Sequence, residues 1–187
     1  NGVIRDVNNI SHYFTDRGVQ VCSLGYKNRF YRAEAIKEID NLFNSSYDQY
    51  VIYYSGHGTE YEGNWVFTDG AVSINDIINR WRASNRHTNR RLQIISDCCY
   101  AGKWVEEAYE MELEDCFCIH VVAATTADEK AIGMIGGGDF TNHILERSAS
   151  PFRKTMCSLL KFYGHVKLYR NFTNAADYFY TMDLLLQ

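Results

Sequence analysis

Short β-rich runs alternate with amphipathic segments along this chain, and this alternation restricts its fold more than any other feature. Apolar runs with β-branched residues occupy 19–24, 49–54, 91–96 and 116–124. Apolar side chains at helical spacing occupy 3–16, 32–43 and 73–81. Strands that alternate with helices form βαβ units, which require a parallel sheet covered by helices. We therefore predict an α/β domain with helices on both faces of a mostly parallel sheet.

The later segments extend this pattern to a single domain over residues 1–187. Helical spacing recurs over 103–111, 140–147, 152–163 and 174–187, and a loop is expected over 127–138. No apolar run reaches the roughly 18–20 residues of a membrane span. The net charge of −4 offers no basic surface for nucleic acid or an anionic membrane. We expect neither a membrane nor a nucleic acid as partner.

Two short motifs close two of the predicted strands. Tyr-Ser-Gly-His-Gly occupies 54–58, and Ser-Asp-Cys-Cys-Tyr-Ala-Gly occupies 96–102. The carboxyl ends of parallel strands meet at one edge of a sheet, where catalytic loops of such folds lie. An imidazole beside a thiol makes the reactive thiolate accessible at neutral pH. The sequence therefore predicts a nucleophilic cysteine paired with His57.

The six cysteines favour free thiols over disulfides. Cys98 and Cys99 are adjacent, so a bridge between them would be strained. The other four lie in apolar runs, where a free cysteine behaves as a small hydrophobic residue. The chain also lacks the CxxC and HxxxH spacings of zinc sites. We predict a reducing, cytoplasmic setting and no bound metal.

With both motifs in this order, the sequence resembles the caspase-like cysteine peptidases, and among them most the metacaspases and their bacterial relatives. That family carries Tyr-Ser-Gly-His-Gly on one strand and Asp-x-Cys-x-x-Gly on a later one, matched here at 54–58 and 97–102. Residues 124–131 and 138–141 are similar to its post-catalytic strand, substrate loop and next helix. The resemblance covers about 3–148 and leaves 149–187 as a C-terminal helical part. It implies a caspase-like three-layer α/β/α sandwich and a cysteine endopeptidase that acts through a thioester.

The resemblance also implies a role for each matched position. Cys99, third in the motif that begins with Asp97, would be the nucleophile, and His57 would be its base. The backbone N–H groups of Gly58 and Cys99 would hold the oxyanion, with no side chain at Gly58 to block the scissile carbonyl. By the two-residue alternation of a strand, Cys98 would face the other side. No cofactor is implied for this chemistry.

Metacaspases cleave after Arg or Lys, so the resemblance implies acids at the base of the S1 pocket. Asp97 matches one of these acids, and Asp6 matches another at the start of the first helix. Asp128 is a third candidate, in the predicted substrate loop. From the residues alone, Asp97 could instead cap a turn, Asp6 could favour a helix dipole, and Asp128 could lie in a solvated loop.

The chain departs from the family pattern in one respect, because the apolar strand expected ahead of the first helix is absent. We expect the chain to be a fragment, or an upstream segment or regulatory partner to supply that strand. The acidic stretch over 106–115 is interpreted as a solvated helix face, with calcium activation as the alternative. The rival function, from a different class, is a catalytically silent caspase-like module that binds a partner within a larger regulated assembly. The leading function has a protein or peptide as its substrate.

Overall fold

Strands and helices alternate as the apolar pattern predicts. The computed structural model describes residues 2–22, 30–84, 90–111, 119–131, 133–134, 137–146 and 168–169. The helices are α1 (Gly2–Thr15), α2 (Arg32–Phe43), α3 (Ile74–Ser84), α4 (Gly102–Glu110) and α5 (Asp139–Glu146). The strands are β1 (Gln49–Ser55), β2 (Trp65–Phe67), β3 (Gly70–Val72), β4 (Arg91–Asp97), β5 (Ile119–Ala123), β6 (Gly133–Met134), β7 (Gly137–Gly138) and β8 (Leu168–Tyr169).

The main sheet has the order β1-β4-β5-β8 and confirms the predicted α/β architecture. β4 pairs in parallel with both β1 and β5, and β8 adds an antiparallel strand. All residues of β4 after Arg91 are buried, whereas most of β1 is only half-buried. β4 is therefore an inner strand of the described sheet, together with the equally buried β5, and β1 lies at its edge.

Stacked aromatic rings fix the loop that follows β1. Trp65 stacks between Tyr54, at 4.8 Å between ring centroids, and Trp104 of α4, at 4.2 Å. The indole N–H of Trp65 donates to Ser96 Oγ at 2.9 Å, and that of Trp104 donates to the Gly63 carbonyl at 2.7 Å. Because both indole donors are satisfied inside the core, the loop over 56–64 is tied to β4 and to α4.

Two segments differ from their prediction. Residues 19–22 are irregular, although 19–24 was expected to be a strand, and 23–29 lie outside the described residues. A strand needs hydrogen bonds to a neighbour, and no described strand pairs with 19–22. The predicted loop over 127–138 contains the short antiparallel pair β6 and β7. Glycine-rich strands of two residues carry no apolar alternation that could have indicated them.

The C-terminal part cannot be compared with its prediction in the same way. The helices predicted over 152–163 and 174–187 lie outside the described residues. The described helices include none that is both long and apolar enough to cross a membrane.

The N-terminus of α3 provides a test of this fold. The Asp76 N–H donates to Ser73 Oγ at 3.2 Å, and the Ser73 N–H donates to Asp76 Oδ2 at 3.1 Å, as in a capping box. We expect Ser73→Ala to lower the free energy of unfolding by about 1 kcal/mol. Asn79→Ala, on the exposed face of the same helix, should change it by less than about 0.5 kcal/mol. Equal effects of both changes in urea denaturation would contradict this cap.

Candidate active site

The pairing of β1 with β4 brings His57 and Cys99 to neighbouring strand ends. The register pairs Ser55 with Asp97, and His57 and Cys99 each lie two residues further on. The Gly56 N–H donates to the Asp97 carbonyl at 3.2 Å and extends the pairing past the last register pair. His57 is exposed and Cys99 is half-buried. The two residues thus leave the sheet side by side at its carboxyl edge, where the motifs predict them.

Gly58 lies directly against the backbone of Cys99. A Cβ atom at position 58 would overlap the Cys99 carbonyl oxygen and would lie 3.1 Å from Cys98 Sγ. Only glycine permits this approach, because any side chain would push the two segments apart. The two residues whose N–H groups are predicted to hold the oxyanion are therefore in contact through their backbones.

Cys99 stands on a tight turn between β4 and α4. Tyr100 has a φ of 58°, a left-handed conformation that is unfavourable for a bulky residue. Its N–H donates to the Glu129 carbonyl at 2.7 Å, which holds the strained turn in place. Strain of this kind concentrates at functional sites. Sequence reasoning missed it, because nothing in the motif indicates that a tyrosine adopts this conformation.

The two adjacent cysteines have opposite environments. Cys98 is fully buried, with its Sγ 3.3 Å from Ser96 Oγ and donating to the Gly63 carbonyl at 3.7 Å. The pKa of the Cys98 thiol is raised to about 12, chiefly by burial; the Ser96 hydrogen bond opposes this shift and the Asp97 charge adds to it. Cys98 therefore stays protonated and acts as a packing residue. Cys99 is half-exposed, and its Sγ accepts the Ala131 N–H at 3.3 Å.

His57 and Cys99 are neighbours without a direct bond. Across the described residues, no hydrogen bond joins the exposed His57 imidazole to the Cys99 thiol. In the part of the chain that the structure describes, Cys99 Sγ accepts a hydrogen bond from the Ala131 N–H, in the segment after β5. Catalytic hydrogen bonds are often long in a free enzyme and tighten when substrate binds. The backbone contact of Gly58 with Cys99 keeps the two residues near each other, and their catalytic roles stay a prediction.

The two carboxylates predicted for S1 meet at Gly138. Asp6 comes from α1 and Asp97 from the end of β4, and they are only 2 % and 6 % exposed. A Cβ atom at position 138 would lie 2.8 Å from Asp97 Oδ2 and 3.3 Å from Asp6 Oδ2. The Gly138 N–H is shared by both oxygens of Asp6, at 2.9 Å each. The structure therefore assembles a buried acid pair, defined here as Asp6 and Asp97.

Three hydroxyl groups that sequence reasoning missed complete this acid pair. Ser55 Oγ donates to Asp6 Oδ2 at 3.2 Å, and Thr141 Oγ1 donates to Asp97 Oδ2 at 2.6 Å. Tyr53 lies 2.6 Å from Thr141 Oγ1 and must be the donor there, since the Thr141 proton is committed to Asp97. Burial, and then the Asp97 charge, raise the pKa of Tyr53, so it keeps its proton. The i, i+2 spacing of Tyr53 and Ser55 on β1 could have indicated that both side chains lie on the same face of the strand.

Asp128 is placed differently from the acid pair. It is exposed, and its charge helps to raise the pKa of Lys103, after the larger effect of the Lys103 hydrogen bond to Glu106 at 2.8 Å. Its substrate-binding role stays a prediction. Among the described residues, no group of three or more His, Cys, Asp or Glu side chains is arranged to hold a metal ion.

Comparison with known proteins places this geometry in a family. The family model of the caspase domain of C14 peptidases matches residues 1–179. The chain belongs to the caspase domain family. This membership and the observed sandwich confirm the resemblance that the motifs carry.

Two solved structures share the fold. A protein from Geobacter sulfurreducens superposes with a TM-score of 0.68 at 17% identity, over 94% of this chain and 86% of that one. Caspase-1 from Spodoptera frugiperda superposes with a TM-score of 0.63 at 15% identity, over 87% of this chain and 66% of that one. At such identities the similarity establishes the caspase-like fold alone. An activity has to be argued from the residues of the site.

The relatives found by sequence similarity are named as transmembrane proteins. Transmembrane protein 168 of Rattus norvegicus is 28% identical over 116 residues, which are 62% of this chain and 16% of that protein. Transmembrane protein 168 of Homo sapiens is 31% identical over 77 residues, or 41% of this chain and 11% of that protein. The matched part of this chain thus spans less than a fifth of the relatives' length, and their name does not describe a peptidase.

The contrast between the two cysteines predicts their reactivity. In Cys98→Ala, iodoacetamide should modify Cys99 in the folded protein at about pH 8. In Cys99→Ala, Cys98 should resist modification, because a buried thiol with a pKa of about 12 is roughly one part in ten thousand thiolate at that pH. Mass spectrometry of the peptide that contains both positions measures this. Rapid labelling of Cys98 in folded Cys99→Ala would contradict the assignment.

The buried charge of Asp6 predicts a pH-dependent stability. Burial raises the pKa of Asp6, against the smaller opposing effects of Gly138, Ser55 and Arg5. The folded state thus binds the Asp6 proton more tightly than the unfolded state, and this contribution to stability is lost as the pH rises through the folded pKa. Asp6→Asn should therefore raise the free energy of unfolding at neutral pH, and this gain should vanish in acid. The exposed Asp16→Asn is the charge-matched control. A loss of stability at neutral pH would refute the prediction.

Proposed function

We propose that this caspase domain is a cysteine endopeptidase in which Cys99 is the nucleophile and His57 the base. The observation that carries the proposal is the backbone contact of Gly58 with Cys99 at the ends of two paired strands. That contact holds the imidazole, the thiol and two backbone N–H groups within one small region. Cysteine peptidases need these groups together.

The proposed reaction begins with proton transfer from the Cys99 thiol to His57. The thiolate attacks the scissile carbonyl carbon, and the resulting oxyanion accepts the N–H groups of Gly58 and Cys99. The C–N bond then breaks, His57 returns the proton to the leaving amine, and a thioester remains. Water hydrolyses the thioester with His57 as base, which restores the free thiol. Each oxyanion donor contributes about 10²–10³ in rate in known cases.

The acid pair supports a preference for Arg or Lys at P1. Asp6 and Asp97 place two carboxyl groups in a nearly water-free region, where they accept hydrogen bonds from Ser55, Thr141 and the Gly138 N–H. A guanidinium or ammonium group entering this region would form charge-assisted hydrogen bonds with both carboxylates. A substrate with an acidic P1 residue would instead be repelled. The substrate in this proposal is a protein or peptide with a basic P1 residue.

The chemistry requires a reduced thiol. Cys22, Cys98 and Cys99 are free in the structure. A free nucleophilic thiol persists in a reducing compartment, so the predicted cytoplasmic setting belongs to this proposal.

The rival function is a silent caspase-like module that binds a partner. The deep burial of the acid pair and the lack of a hydrogen bond between His57 and Cys99 favour it. The intact Gly58–Cys99 contact and the exposed imidazole favour catalysis instead. The following experiment separates the two.

Fluorogenic peptides that differ only in Arg, Lys or Asp at P1 test the proposal. We expect cleavage after Arg and Lys, and a loss of about 10³-fold or more in kcat in Cys99→Ala and His57→Ala. Cys98→Ala and Cys22→Ala are the matched controls and should keep most of the activity, because Cys98 only packs and Cys22 is exposed. An Arg-chloromethylketone should form an adduct on Cys99.

Two results would contradict the proposal in different ways. Preferential cleavage after Asp would refute the S1 assignment and leave the nucleophile in place. No cleavage of any peptide, together with no chloromethylketone adduct on Cys99, would support the silent module.

A further inference from the structure

The segment after β5 contacts both the nucleophile and the acid pair. Its Ala131 N–H donates to Cys99 Sγ at 3.3 Å. Seven residues later, its Gly138 N–H donates to both oxygens of Asp6. We call these two contacts the Ala131 clamp and the Gly138 plug. One stretch of backbone thus places an N–H donor on each of the two groups that a substrate would need.

The Gly138 plug leaves no room for a cation in the acid pair. The α carbon of Gly138 stands so close that even a methyl group there would lie 2.8 Å from Asp97 Oδ2. Both carboxylates are almost inaccessible to solvent. An arginine side chain can reach them only if Gly138 moves away. The protein's own backbone therefore occupies the space beside both carboxylates and donates an N–H to Asp6.

We propose that Gly138 is an internal stand-in for the P1 cation, and that a basic side chain activates the site by displacing it. This inference rests on the proposed function, because it takes the acid pair as the S1 pocket. It goes beyond that function by assigning a self-inhibited resting state. In this proposal, displacement of Gly138 also weakens the Ala131 clamp, which lies seven residues earlier in the chain, so that P1 binding frees the Cys99 thiol.

The exchange replaces one backbone donor with a cationic side chain. Gly138 is buried, and β7 pairs with β6 over two residue pairs. One amide N–H is shared between two acceptor oxygens, whereas a guanidinium brings five donors and a full charge. Thr141 Oγ1 donates to Asp97 and is itself bonded to Tyr53 of β1, so Asp97 has a hydrogen-bond partner besides the Gly138 backbone.

Binding of p-aminobenzamidine, a fluorescent amidinium, tests the proposal without catalysis. In a Cys99→Ala background, Gly138→Ala should bind the probe about tenfold more tightly, since the methyl group forces the plug out and removes one hydrogen bond to a charged group. Adding Asp6→Asn should abolish this gain, and adding the exposed Asp16→Asn should preserve it. Equal or weaker binding by folded Gly138→Ala would overturn the proposal.

A second measurement uses the unaltered chain, in case Gly138→Ala folds poorly. Saturating p-aminobenzamidine should speed hydrogen exchange of the Gly138 amide and alkylation of Cys99 by iodoacetamide. Unchanged Gly138 protection with bound probe would overturn the proposal.

The outcomes separate this proposal from the peptidase function. Cleavage after Arg together with no effect of Gly138→Ala would overturn the plug and keep the peptidase. Tighter probe binding by Gly138→Ala without any cleavage would support the plug and reject the peptidase.

Discussion

The parallel pairing of β1 with β4 is the interaction on which the rest of the site depends. Its register sets Ser55 opposite Asp97 and carries His57 and Cys99 out of the sheet together. A slip of one residue would turn every side chain of β1 to the other face. Tyr53 and Ser55 would then leave the acid pair, and Gly58 would no longer meet Cys99. The placement of His57 near Cys99 and the assembly of the acid pair therefore depend on the same strand register.

Consecutive residues at the end of β4 have different surroundings, because their side chains alternate between the two faces of the strand. Asp97 reaches the acid pair, while Cys98 is buried against Ser96 and the Gly63 carbonyl. Cys99 lies beyond the last paired residue, on the strained turn that Tyr100 completes. Burial makes one thiol inert, and the turn leaves its neighbour half-exposed. Adjacent cysteines thus have separate roles without any difference in chemistry.

Local signals made part of this site predictable from the sequence. His57, Gly58 and Cys99 follow apolar runs that identify strand ends, so their common edge could be foreseen. The place of Asp6 in the site could be predicted only from the family resemblance, because Asp6 is 132 residues from its hydrogen-bond partner Gly138. No sequence pattern predicted that Gly138 and Thr141 contact the acid pair, since glycine and threonine occur at many kinds of position. The irregular backbone at 19–22 shows the same limit, because strand pairing is decided by neighbours that propensity does not reveal.

The acid pair is the feature that both candidate functions share. Burial penalises the charge of Asp6 more than its hydrogen bonds compensate, so this carboxylate is not explained by a gain in stability. Buried ionisable residues that cost stability are typical of binding or catalytic sites. A peptidase would use the pair to hold the P1 side chain, and a silent module would use it to hold a basic side chain of its partner. In either case the proposed displacement of the Gly138 N–H from Asp6 would precede binding, so recognition of a basic group would not depend on whether Cys99 reacts.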